Sequence, residues 1–225
     1  MDENNQGYKM NWNTLKQDWP IWIFLAGLLA FSVIVYPHLP AKVPIHWNVH
    51  GQIDRYATKD VGAFLMLGVT AAMYLMFVLL PLIDPKRDNY VRFAGAYRLL
   101  RWIFVIFMGC MQVITLMVAL GYNLDVAMLI KAGISVLFLI IGNFMGQIRY
   151  NYFVGVKTPW TLSSEDVWQK THRFAARIWV ICALVLLAMS PFNTVWSAVI
   201  FFTAVAVMAI GPMVYSYIIY KQANA

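Results

Sequence analysis

Charge is what this sequence has least of. Asp, Glu, Lys and Arg make up 12% of the 225 residues and apolar residues 61%, whereas water-soluble domains run at about a quarter charged and about half apolar. A water-soluble globular fold is excluded, because the chain has too little polar surface to cover that much apolar matter. Cysteine is nearly as scarce. Cys110 and Cys182 each fall inside an apolar stretch, which excludes a disulfide framework and a thiolate metal site. HExxH and GxSxG motifs are missing, so no catalytic residues, no enzymatic activity and no cofactor are expected. Internal repeats and low-complexity segments are missing too.

What the chain does have is long apolar runs, and a membrane-crossing helix needs about 20 such residues. Val61 to Ile83, Trp102 to Tyr122 and Val195 to Tyr220 are free of charge, and Trp19 to Tyr36 is slightly shorter. Val126 to Phe144 is interrupted by Lys131 alone, near one end, where its stem lets the ammonium reach the interface. Ile178 to Met189 is short by itself. Its helix is expected to begin upstream near Ser164 and to enter the bilayer around Ala175. The predicted fold class is therefore all-α, a polytopic membrane protein built as a six-transmembrane-helix bundle. The first run is read as a retained span, since it is longer than a signal-peptide core and no small-residue cleavage site follows it.

The net charge of +7 is explained by topology, without direct nucleic-acid binding. With the N-terminus in the cytoplasm, thirteen of the 17 Lys and Arg residues fall on the inner side, leaving Lys42, Arg55, Lys59 and Lys131 outside. The positive-inside rule then places both termini in the cytoplasm. Two membrane regions are expected: residues 1–100, with two spans and an outer loop, and residues 101–225, with four spans and an inner loop.

Chemistry is confined to the longer loops. The outer one, YPHLPAKVPIHWNVHGQIDRYATKD, crowds His46, Asn48, His50, Gly51 and Asp54 into nine residues. Gly51 permits a positive-φ turn that points His46 and Asp54 toward each other. His46, His50 and Asp54 are metal-ligand types, but their spacing matches no metal signature, and no metal is expected. The inner DPKRDNYVRFAGAYRLLR mixes aromatic and basic residues at helical spacing and reads as an anchor in the headgroup layer. In the longest inner loop, Thr158 must be extended ahead of Pro159, and Ser163 is the expected N-cap of a helix opening with Glu165 and Asp166. Lys170, Arg173 and Arg177 form a basic stripe on that helix, and Trp168, His172, Ala175 and Trp179 line another face.

The inner stretch NYFVGVKTPWTLSSEDVWQKTHR, Asn151 to Arg173, resembles the hallmark segment of the SdpI immunity proteins of Gram-positive bacteria. The outer LPAKVPIHWNVHGQIDRYATK resembles the small domain of unknown function that commonly precedes it. The resemblance implies a bacterial cell-membrane protein with two roles, neutralising a secreted toxin peptide and signalling its presence inward. In the family's best-known system the loaded protein holds an ArsR-type autorepressor at the membrane. Candidate toxin-binding residues are then His46, Asn48, His50, Gly51 and Asp54. Candidate signalling residues are Asn151, Gly155, Lys157, Pro159, Trp160, Thr161, Glu165, Trp168, His172 and Arg173. Besides toxin and repressor, membrane lipids are the expected partners. The rival reading is a small peptide or lipid transporter of efflux type, for which broken helices or an intramembrane ionisable pair are the marks. Pro81 and Pro212 lie near span ends, and Lys131 is the one charge read inside a span.

Overall fold

A backbone surrounded by hydrocarbon can satisfy its N–H and C=O groups only internally, so each apolar run closes into a helix. The computed structural model describes residues 15–48 and 51–224. Helix α1 (Trp19–Val35) ends in a 3₁₀ turn (Tyr36–His38), followed by strands β1 (Lys42–Trp47) and β2 (Ile53–Thr58) and helix α2 (Lys59–Ile83). A 3₁₀ segment (Arg87–Phe93) leads into α3 (Ala94–Ala119), then α4 (Val126–Met145), the short α5 (Pro159–Ser163), α6 (Glu165–Met189) and α7 (Val195–Ala223). Among the described residues, six helices are long and apolar enough to cross a membrane: α1 to α4, α6 and α7.

Only 22–28% of each hydrophobic window is buried within the protein. Side chains such as Ile34, Ile83, Ile181 and Phe202 point outward at 60% exposure or more, which only a hydrocarbon surrounding accommodates at this scale. The chain is an all-α, multi-pass membrane protein. Helix α3 packs on α1 and α2, α4 runs along α6, and α6 along α7. An even number of crossings puts the hairpin and the turns 121–125 and 190–194 on one side. The loops 84–93 and 146–164 lie on the other, with the start of α1 and the end of α7.

The inner loop 84–101 departs from the expected headgroup anchor. Tyr90, Phe93 and Tyr97 are buried in a core cluster that includes Phe77 and Trp168. Tyr97 Oη donates to Phe77 O at 2.5 Å. Aromatics at helical spacing satisfy a protein interior as well as a lipid interface, and here the interior claims them. Helix α3 also begins at Ala94, so Arg101 lies inside a helix. Lys131 is therefore not the only charge on a spanning helix.

Candidate functional site

On the hairpin side, β1 and β2 pair antiparallel with Val43 opposite Ala57, Pro44 opposite Tyr56, His46 opposite Arg55 and Trp47 opposite Ile53. The register slips twice around His46, skipping Ile45 on one strand and Asp54 on the other. Such irregularities re-aim side chains, and here His46 Nδ1 donates to Asp54 Oδ1 at 2.6 Å. The convergence expected from the sequence is present. Both side chains are about half exposed, at 54% and 42%. Gly51 takes φ +77 and donates its N–H to Asn48 O at 2.9 Å. Asn48 Oδ1 accepts from Gln52 N at 3.0 Å, so Asn48 and Gly51 build the turn that carries the pair. His50 lies outside the described residues. The hairpin base is anchored: Val43 is fully buried with Leu39, Ala63 and Leu116, and Tyr36 Oη donates to Asp60.

On the opposite side the segment 146–164 folds around Asn151, which is fully buried. Its Oδ1 accepts from Phe153 N at 2.9 Å and Val154 N at 2.7 Å. Its Nδ2 donates to Arg149 O and Val154 O, so one amide substitutes for regular secondary structure. Asp84, also buried, accepts from Tyr90 Oη at 2.9 Å and Tyr152 N at 3.0 Å, and Asn89 Nδ2 donates to Tyr150 O. These bonds tie the loops 84–93 and 146–164 together. Tyr150 Oη donates to Leu162 O at 2.7 Å; its pKa is pushed up to about 12, first by the hydrogen bond with Tyr152 and then by burial.

The second half of the segment is held by α6. Trp168 is fully buried, stacks on His172 with ring centroids 4.1 Å apart, and donates Nε1–H to Ile148 O at 2.9 Å. His172 Nδ1 donates to Trp168 O at 2.8 Å, and Nε2 accepts from Val156 N at 3.0 Å. Both ring nitrogens are spent on backbone, which fixes a neutral tautomer. Val156 can reach Nε2 because Gly155 adopts φ +122, and a Cβ at Gly155 overlaps the imidazole.

Thr158 is extended, at φ −127 and ψ 162, as Pro159 requires. It caps α5 in a reciprocal box with Thr161, and its Oγ1 reaches Ser216 of α7 at 3.0 Å. The N-cap of α6 is Ser164, which accepts from Val167 N, rather than Ser163. Ser163 closes α5 instead, its Oγ donating to Trp160 O at 3.0 Å. The expected signalling residues thus divide by exposure. Asn151, Thr161, Trp168 and His172 are buried, and Gly155 is wedged against His172. Lys157, Pro159, Glu165 and Arg173 are exposed, and Trp160 is half-buried with its ring against Tyr217.

One buried cluster escaped the sequence reading. Asp18 and Arg101, at 0% and 2% exposure, form an ion pair at 2.6 Å, and Asp18 also accepts from Trp102 Nε1 at 2.8 Å and Tyr74 Oη at 3.0 Å. Their 83-residue separation hides the pairing from local pattern.

Residues 147–216 match the SdpI/YfhL protein family, and residues 23–71 match a domain of unknown function, DUF1648. The chain is 28% identical over 193 residues to the immunity protein SdpI of Bacillus subtilis (strain 168), covering 86% of this chain and 90% of that protein. No solved structure matches the chain. The two matches fall in order on the hairpin half and the 146–164 loop half described above, so the chain is similar to the SdpI/YfhL protein family over residues 147–216, with a DUF1648-like segment ahead of that stretch.

Proposed function

We propose that this protein is a non-enzymatic immunity protein of the bacterial cell membrane, which protects its host against a secreted antimicrobial peptide. The observation that carries the reading is similarity over 86% of the chain to a protein named for immunity, in a molecule whose two polar elements stand on opposite sides of the bundle. The hairpin faces outward, because the opposite side holds Lys86, Arg87, Arg92, Arg149, Lys157, Lys170 and Arg173, the basic excess that stays in the cytoplasm. His46, Asn48 and Asp54 are then the polar groups that an arriving peptide meets first. On the inner side an ArsR-type autorepressor is held against the exposed residues around α5 and the start of α6, so that toxin arrival is reported inward.

The test is survival. Bacteria lacking their own immunity genes express the chain and are challenged with a panel of purified secreted peptide toxins, with membrane abundance measured alongside. Protection against at least one toxin is expected, and redistribution of a fluorescently tagged ArsR-type repressor to the membrane should accompany it. Equal killing with and without the protein, at normal abundance across the panel, defeats the immunity reading. Protection without redistribution defeats the signalling part alone.

A further inference from the structure

Beneath the hairpin lies a cavity of about 390 Å³ between α4 and α7. Trp47 and Asn48 of the hairpin form its roof, and Ile134, Ala198 and Phe202 are among the side chains of its apolar wall, with Lys131 in the same wall. The Lys131 ammonium donates to Phe192 O at 2.7 Å and to Asn193 Oδ1 at 2.8 Å. An ammonium has three N–H donors, and among the described residues no carboxylate forms an ion pair with this one. Asn193 in turn donates Nδ2–H to Asp125 Oδ2 at 3.2 Å, so the carboxylate in this network stands one residue removed from the ammonium, and an anionic group arriving beside Lys131 gains a direct ion pair.

We propose that this groove receives the apolar, carboxylate-terminated end of the secreted peptide, with the carboxylate on Lys131. The inference rests on the immunity reading and names the subsite that reading leaves open. Depth and roof favour a peptide over a phospholipid. From Val195 to Phe202 the wall descends about two helical turns, or roughly 10 Å, from the surface. That is short of one leaflet of a hydrocarbon core about 30 Å thick. The groove is also covered on the aqueous side by Trp47 and Asn48, a lid of protein that a headgroup standing in the aqueous layer does not pass. Trp196, 74% exposed in the first turn of α7, marks the level as the bilayer interface.

Two measurements separate this subsite from the immunity reading. In the first, the purified protein sits in nanodiscs of neutral phosphatidylcholine, and binding is read with a fluorescent Leu/Ala peptide bearing a free C-terminal carboxylate and with its C-terminal amide. The carboxylate form should bind about tenfold tighter, as one charge-assisted contact provides. Lys131→Met should erase the preference, Lys131→Arg should restore it, and Ala198→Trp should abolish binding of both forms by filling the groove. Equal affinities in the native protein, no binding of either peptide, unchanged binding to the Ala198→Trp variant, or full displacement by phosphatidylglycerol each overturn the proposal, the last by handing the groove to lipid. In the second, survival under toxin is compared at matched membrane abundance. Loss of protection in both Lys131→Met and Ala198→Trp is expected. Protection by the native chain that persists in both variants removes the groove while leaving the immunity function intact.

Discussion

Trp168→Ala separates a structural role from a signalling one. The indole is fully buried, stacked on His172 at 4.1 Å, edge-on to Tyr150 at 5.5 Å, and hydrogen-bonded to Ile148 O. Truncating a buried Trp or Phe to Ala costs about 3–5 kcal/mol, and the orphaned Ile148 carbonyl places this site toward the upper end. At about 2–4 °C per kcal/mol for a chain of this length, melting in mild detergent should fall by roughly 6–20 °C. Protection and repressor recruitment should decline together, following the abundance of folded protein. Arg173 leaves the same helix one turn further on but is exposed, so Arg173→Ala should leave melting unchanged and lower recruitment alone. A melting temperature within about 2 °C of the native value in Trp168→Ala refutes the reasoning, since no buried indole is lost so cheaply.

Four further outcomes follow from the same geometry. Arg101→Met strips the counter-charge from fully buried Asp18 and should cost about 3–5 kcal/mol in detergent unfolding, while the double variant Asp18→Asn/Arg101→Met should recover part of that loss. His172→Phe keeps the ring but orphans Val156 N–H, so a loss of about 1–3 kcal/mol is expected; hydrogen exchange at Val156 should quicken. Gly155→Ala forces a side chain into a φ of +122 and against the imidazole, and should reduce membrane abundance more than Lys157→Ala does. His46→Ala and Asp54→Ala break an exposed pair worth under about 1 kcal/mol, so melting should hold while protection falls; unchanged protection in the double variant removes the hairpin from recognition.

The spans were legible because run length and freedom from charge are local properties, and each predicted run lies on a helix. Their ends were less so. Residues 84–101 read as an interfacial anchor, since periodicity reports one apolar face without saying whether lipid or protein covers it. Tyr90 and Asn89 find partners in Asn151 and Tyr150, 61 residues away, and that distance decides the matter. The convergence of His46 and Asp54 was readable through Gly51. The strands were not, because Pro44 and two register slips break the alternation that announces a sheet. Ser163 read as the N-cap of α6, but it is the last residue of the short helix α5, which no periodicity announces, and the cap falls to Ser164.

The same long-range bonds narrow where a cytoplasmic partner can touch. Polar and aromatic density in Asn151 to Arg173 reads as a docking surface, yet Asn151 spends its amide on four backbone groups and His172 spends both nitrogens on two more. Thr161 is committed to the cap of α5. A side chain whose donors and acceptors are all engaged inside the protein offers a partner nothing without first breaking the loop. Among the candidate signalling residues, the groups still facing solvent are the Lys157 stem, Pro159, Glu165 and Arg173, with one edge of Trp160. Lys157 and Arg173 are positive and Glu165 is negative, so the surface left for a repressor is small, mixed in charge and centred on an aromatic. On such a patch, one Trp and one Arg carry most of the binding energy. Trp160→Ala paired with Arg173→Ala is therefore the combination that should abolish recruitment while Asn151 and His172 keep the loop folded.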